Sequence, residues 1–518
     1  MTQTVAICAL ILFAAMMVGI GLYSMRHARS LDGFLLGGRK IGAWMSAFAY
    51  GTSYFSAVIF IGYAGKFGWE VGFSSMWIGI GNAVFGCLAA WLLLAKRTRR
   101  MTHRLSARTM PEFFEKRYGD QRMKLYSVFI IFVFLVPYAA AVYKGLGELF
   151  GAIFPTLSVF GMSPTVVCMF IVALLTAVYL VLGGYVATSI TDFVQGLIMI
   201  FGVVAMVTLL LANPNVGGLS GAVEKLRAIS PGLVQMDGGG KLSLLATNIL
   251  LTSFGCWGLP QMIHKFYAVR DEASIRKATV VSTGFALLIG CGAYFVGTLG
   301  HLFIPALENG QPAGGVDNVV PNMLVSAFGS SLVGNLLLSL VLLLVLSASM
   351  STLSSIVLTS SSAISVDFMQ IVRPDYDPRH QMRLTRLLCF TFVALSFLFA
   401  TFQFAIIVSI MSFSWGVVSG CFIGPYLWGL YSKSVTRAGA WAGQISGLVV
   451  VLAGLIAGAL TSPAMGEGFG AALSASTANA PVYGVIALCV SLVIVPAVSA
   501  FTKKLPRETV EAAFGAAE

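Results

Sequence analysis

Apolar runs of roughly twenty residues recur along the chain, parted by short polar or basic stretches, and each is about as long as a membrane-spanning helix. The pattern predicts thirteen spans, at residues 4–24, 44–65, 77–94, 125–153, 164–182, a sixth that begins after the stretch 183–195 and runs to 211, 242–266, 279–303, 332–368, 386–402, 404–430, 438–460 and 482–501. A short outer helix is expected at 321–328. The chain therefore reads as an all-α polytopic membrane protein.

Polar residues inside these runs are costly in lipid and call for a reason. After the apolar stretch 336–346 comes Ser347-Ala348-Ser349-Met350-Ser351-Thr352-Leu353-Ser354-Ser355. Ala348, Ser351, Thr352 and Ser355 are three and four apart and share one helix face, with Ser354 beside them. Such a row can simply let two helices pack closely, each hydroxyl bonded back to its own backbone. It can also ligate a hard cation such as Na⁺, which prefers oxygen as Ca²⁺ and Mg²⁺ do.

The second and seventh segments are interrupted, at 49–56 around Gly51 and at 253–260 around Gly255, Gly258 and Pro260. Matched breaks of this kind point to a transporter's midplane site. They open two five-helix sets and suggest four parts. These are an N-terminal helix and loop (1–40), a first repeat (41–212), a second repeat (241–431) and C-terminal helices with a short tail (432–518). Asp192, early in the sixth segment, needs a cation or a partner, and its own segment holds no Lys or Arg. Lys144 and Glu148, four apart in the fourth segment, read as a pair near the outer interface.

Composition sharpens this picture. The chain is 58% hydrophobic and 10% charged, against about 25% charged in soluble domains. Its net charge of +12 is topological: all but five of the 32 Lys and Arg (Lys66, Lys144, Lys225, Arg227 and Lys241) fall on one expected side. The positive-inside rule then puts the N-terminus outside and the C-terminus in the cytoplasm, as an odd helix number requires. Nucleic acid is excluded as a partner, and the lipid bilayer is the expected surroundings. No basic residue precedes the first segment and Arg26 and Arg29 follow it, so it reads as a retained helix rather than a cleaved signal. The eight cysteines form no CxxC pair and the five histidines have no zinc spacing. No phosphate-binding loop suggests ATP, and no nucleophile–base constellation suggests an enzyme. Neither an organic cofactor nor an obligate protein partner is expected.

Leu35-Leu36-Gly37-Gly38-Arg39, then Gly183-Gly184 through Asp192 and Gln195, and above all Ala348 to Ser355 resemble motifs of the sodium:solute symporter family, over roughly residues 20–450. The resemblance implies a LeuT-like five-plus-five inverted-repeat core with Na⁺ as coupling ion. A general sodium site would use the carbonyls of Thr52, Phe55 and Ala348 with the hydroxyls of Ser351 and Thr352. A second sodium site, found in some members, would use Asp192, Ser351, Ser354 and Ser355. Sugar-transporting members carry amides or acids around the first break, where this chain has Tyr54, Val58 and Ile59. Proline-type members carry Asp where Tyr54 stands and aromatics where Thr252 and Cys256 stand. Ser53-Tyr54-Phe55-Ser56-Ala57 and Phe60-Ile61-Gly62 are most similar to the pantothenate and carboxylate branch, and half-helix N-termini also favour an anionic group.

The expectation is a sodium-coupled symporter of the bacterial inner membrane that imports a small organic carboxylate or amino acid by alternating access. Tyr54, Ser56, Cys256, Trp257, Phe413 and Trp415 would line its pocket. Two alternatives are a proton-coupled symporter using Asp192 and a sensor built on a transporter fold. Against a sensor stands the shortness of the tail, 503–518.

Overall fold

The computed structural model describes residues 2–25, 30–159, 161–329, 332–373, 377–402 and 405–515. The expected flanking residues Arg26 and Arg29 and the first residue of the eleventh segment, Phe404, lie outside them. The described chain is helical, with only isolated two-residue bridges. That is what a bilayer imposes, because a helix satisfies its backbone internally.

Shorter helices aside, among them Val319–Phe328 where an outer helix is expected, the main helices in chain order are α1 (Thr2–Ser24), α2 (Ala43–Tyr54), α3 (Val58–Arg104), α4 (Gln121–Ile153), α5 (Pro164–Ala212), α6 (Leu242–Gly255) and α7 (Pro260–Ala268). They continue with α8 (Glu272–Thr298), α9 (Leu332–Ser362), α10 (Pro378–Thr401), α11 (Ile407–Tyr431), α12 (Arg437–Leu460) and α13 (Ala480–Phe501). Among the described residues ten helices are long and apolar enough to cross a membrane, or eleven with the bent pair α6–α7. This is short of the thirteen expected, for a visible reason. α3 has 47 residues and α5 has 49, about 70 Å each at 1.5 Å per residue, against a hydrocarbon core of about 30 Å. Both turn at a glycine with positive φ, Gly72 (59°) and Gly184 (55°). A Cβ there would lie 2.0 Å from the Leu233 carbonyl oxygen or 2.7 Å from that of Phe34. Thirteen crossings are reached only if both helices are divided at these glycines.

α9 and α11 are the interior helices, with 83% and 89% of their apolar windows buried, whereas α1 buries 22%. α2 packs against α8, α5 and α9, and α7 packs against α2 and α9. α11, α12 and α13 pack on one another, and α11 also lies along α4. Close approach depends on small residues. Gly68 of α3 faces Gly297 of α8, and a Cβ on Gly68 would stand 2.3 Å from the Gly297 carbonyl carbon.

Lys144 does not pair directly with Glu148. Its ammonium lies 2.8 Å from Asp317 Oδ2 and donates to the Ala405 carbonyl at 2.9 Å. Asp317 in turn accepts the Ile407 N–H at the start of α11. The loops bring Asp317 and Ala405 to Lys144, which helical spacing alone does not foretell.

Candidate functional site

The first break follows from local chemistry. α2 ends at Tyr54, and Phe55 is extended (φ −103°, ψ 101°). The Ser56 hydroxyl accepts the Val58 N–H at 3.2 Å and restarts the helix. Unwinding leaves carbonyls at the end of α2 without their usual helical donors. α9 brings its hydroxyl face to that point. Thr352 Oγ1 lies 3.4 Å from the Thr52 carbonyl, 3.2 Å from that of Ser53 and 3.1 Å from that of Ala348. The Ser351 hydroxyl donates to Thr52 Oγ1 at 2.7 Å. Thr52, Phe55, Ala348, Ser351 and Thr352 are all fully buried.

One hydroxyl proton cannot serve three carbonyls. The surplus oxygen lone pairs, converging in a dry setting, form the kind of oxygen cluster a small cation can use. Packing alone would return each hydroxyl only to its own helix, as Ser349 returns to the Val345 carbonyl. Thr352 instead reaches its own Ala348 carbonyl and two carbonyls of α2 as well.

The second expected cluster is arranged differently. Asp192, on α5, is fully buried, and the ammonium of Lys265 lies 3.4 Å from its Oδ2. The same ammonium donates to Ser355 Oγ at 2.8 Å, and Ser355 shares a second hydrogen bond with Ser53 Oγ, also at 2.8 Å. Ser354 donates to the Ser351 carbonyl. Asp192 Oδ1 has no hydrogen bond within 3.5 Å, since the neighbouring Ser351 hydroxyl is committed to Thr52. Lys265 is thus not the loop charge that its place at a segment end suggests. Pro260 starts α7 after the second break, every residue of α7 is buried, and its packing on α2 and α9 turns the lysine inward. A lysine inside the expected segment, five residues beyond Pro260, was the available signal.

Between the two breaks lies a cavity of about 20 Å³, room for about one water molecule. Of the six expected lining residues it contains Tyr54, Ser56 and Trp415. Cys256 lies just behind, its thiol on the Gly86 carbonyl at 3.1 Å and 3.6 Å from the Tyr50 hydroxyl. Trp257 and Phe413 are outside it: the Trp257 indole donates to the Phe85 carbonyl, and the Phe413 ring packs edge-on against Phe134. Residues not foreseen as lining include Tyr63, Asn82, Tyr138, Thr252, Tyr294 and Met411. Asn82, an amide within an apolar run, was the legible one. It accepts from the Thr252 and Ser253 hydroxyls at 2.7 and 3.2 Å. The Tyr54 hydroxyl donates to the Thr252 carbonyl at 2.7 Å, tying the first broken helix to the second, and its ring stacks on Trp415 at 6.2 Å.

Two unwound helices, buried oxygens at one break and an aromatic-lined cavity between them define an integral, multi-pass membrane transporter. Comparison with known proteins agrees. The profile of the sodium:solute symporter family matches residues 34–447, and the chain belongs to that family. It is similar to the sodium/proline symporter of Haemophilus influenzae (30% identical over 447 residues, 84% of this chain and 85% of that one). It is also similar to the osmoregulated proline transporter of Bacillus subtilis (27% over 466 residues, 88% and 90%). In fold it matches a Na⁺-coupled sialic acid symporter solved in a substrate-bound, outward-open state, with a TM-score of 0.70 at 17% identity, covering 97% of this chain and 99% of that one.

Proposed function

We propose that the chain couples entry of Na⁺ to import of a small amino acid or related carboxylate. The observation that carries this reading is the convergence of the Thr52, Ser53 and Ala348 carbonyls on the Thr352 hydroxyl, with Ser351 and Thr52 alongside. Sodium would be held there, between α2 and α9. It would draw the two helices together and preform the space between the breaks. A ligand shifts such an equilibrium only by its differential affinity for the two states, so inward opening that parts α2 from α9 would release the ion. The membrane potential adds about 2.3 kcal/mol per charge per 100 mV, roughly a 50-fold accumulation from one ion.

The substrate would sit between Tyr54, Ser56, Thr252 and Trp415. At about 20 Å³ the cavity is too small for an amino acid, so binding requires opening. Two relatives are named for proline, which puts proline at the head of the test panel. Tyr54 stands where proline-type members carry an acid, so other carboxylates belong beside it. The basic loops would face the cytoplasm of a bacterial inner membrane.

Thermal stability of the purified protein is to be measured with proline, other amino acids, carboxylates and sugars, each in Na⁺ and in K⁺. A solute that stabilises only in Na⁺, and no longer does so in Ser351→Ala or Thr352→Ala, supports the reading. Stabilisation that ignores Na⁺ but follows pH would transfer the coupling to protons.

A further inference from the structure

This inference rests on the sodium-coupled reading above and concerns how many ions that coupling uses. We propose that Lys265 is a built-in cation standing in for a second sodium ion, so that this chain carries one Na⁺ per cycle.

The oxygens that would have to hold a second ion are already engaged. Lys265 Nζ lies 3.4 Å from Asp192 Oδ2 and 2.8 Å from Ser355 Oγ. The Ser355 oxygen accepts from the lysine and is also bonded to Ser53 Oγ. The Ser354 hydroxyl is turned onto the Ser351 carbonyl, and the Ser351 hydroxyl onto Thr52. Asp192 Oδ1 stays unbonded, but one carboxylate oxygen is not a coordination sphere.

Charge points the same way. Among the described residues Lys265 is the only cationic group within 4 Å of Asp192, and both side chains are buried, at 2% and 0% exposure. One ammonium neutralises one carboxylate. With its charge already balanced, Asp192 has no excess negative charge to draw a second ion to these oxygens. The lysine is covalently held, so it balances Asp192 in every cycle without crossing the membrane. Each ion not carried lowers the attainable accumulation by about 50-fold per 100 mV.

The test is a count of radioactive Na⁺ bound per purified chain, by equilibrium dialysis at saturating Na⁺ against a K⁺ blank. One ion is expected for the native chain and two for Lys265→Ala, with the Hill slope rising accordingly. Thr352→Ala should lower each count by one. Two ions in the native chain overturn the inference and leave sodium coupling intact. One ion in both the native chain and a folded Lys265→Ala also overturns it, because the vacated oxygens should then take an ion. No saturable Na⁺ in the native chain overturns the sodium reading itself. If Lys265→Ala does not fold, the count is taken instead on Lys265→Met, which keeps the side chain's length without its charge: two ions are expected, and one ion sinks the proposal.

Discussion

Replacing Asp317 by Asn should unlatch the face of the protein that carries the Asp317 loop. Asp317 receives the Lys144 ammonium at 2.8 Å and the Ile407 N–H, and Lys144 also reaches the Ala405 carbonyl. The contact joins α4 to the start of α11, where Ile407 also packs so tightly on Gly62, next to the cavity-lining Tyr63, that a Cβ on Gly62 would come within 2.6 Å of it. Asparagine keeps an acceptor for the Ile407 N–H but leaves Lys144 without a counter-charge. Removing one partner of a buried pair costs about 3–5 kcal/mol. With side chains 10% and 7% exposed, the lower end, about 3 kcal/mol, applies. If the pair forms only in the closed state, this shifts the open-to-closed ratio by about 150-fold. An open state populated at about 1% would become the major one.

The assay is the labelling rate of a Ser56→Cys thiol by a membrane-impermeant reagent, with the exposed Cys8 and Cys489 replaced by Ser. Labelling should rise by one to two orders of magnitude in Asp317→Asn and fall back when Lys144→Met is added, because no lone charge then remains. An unchanged rate in Asp317→Asn, or an equal rise in the double variant, would refute the latch.

Thr352→Ala should raise the Na⁺ concentration for half-maximal stabilisation by about tenfold or more, the loss of one charge-assisted contact, whereas Thr352→Ser should stay near the native value; a Na⁺ titration of melting temperature reads both. Gly258→Ala would place a Cβ 2.7 Å from the Ser419 carbonyl oxygen and 2.8 Å from its Cα. Backbone cannot step aside as a side chain can, so about 1–3 kcal/mol should be lost, seen as a lower melting temperature, while Gly19→Ala, which meets nothing within 4 Å, should show no loss. Tyr54→Phe leaves the buried Thr252 carbonyl without its donor and should weaken solute-dependent stabilisation by about 1–3 kcal/mol; binding unchanged in that variant would remove Tyr54's hydroxyl from the site.

The parts of this protein legible in its sequence are those governed by short-range periodicity. Apolar length against bilayer thickness announced the helices, and 3.6-residue spacing put Ala348, Ser351, Thr352 and Ser355 on one face. The glycines and Pro260 marked where backbone leaves the helical ladder. None of these needs knowledge of a neighbour. What the hydroxyl face meets is another matter. That Thr352 turns to the freed carbonyls of Thr52 and Ser53, three hundred residues earlier in the chain, depends on α2 packing against α9.

The charged residues show the division most plainly. Spacing offered Glu148 to Lys144, and the loops supplied Asp317 instead. Position at a segment end made Lys265 a loop charge, and the packing of α7 carried it to Asp192 and Ser355. A buried charge must find a partner wherever the fold provides one. The sequence alone therefore determined that Asp192 needed a cation or another partner. Only the tertiary structure decided which one, because a long lysine side chain on a tightly packed helix reaches a carboxylate that no local spacing connects to it.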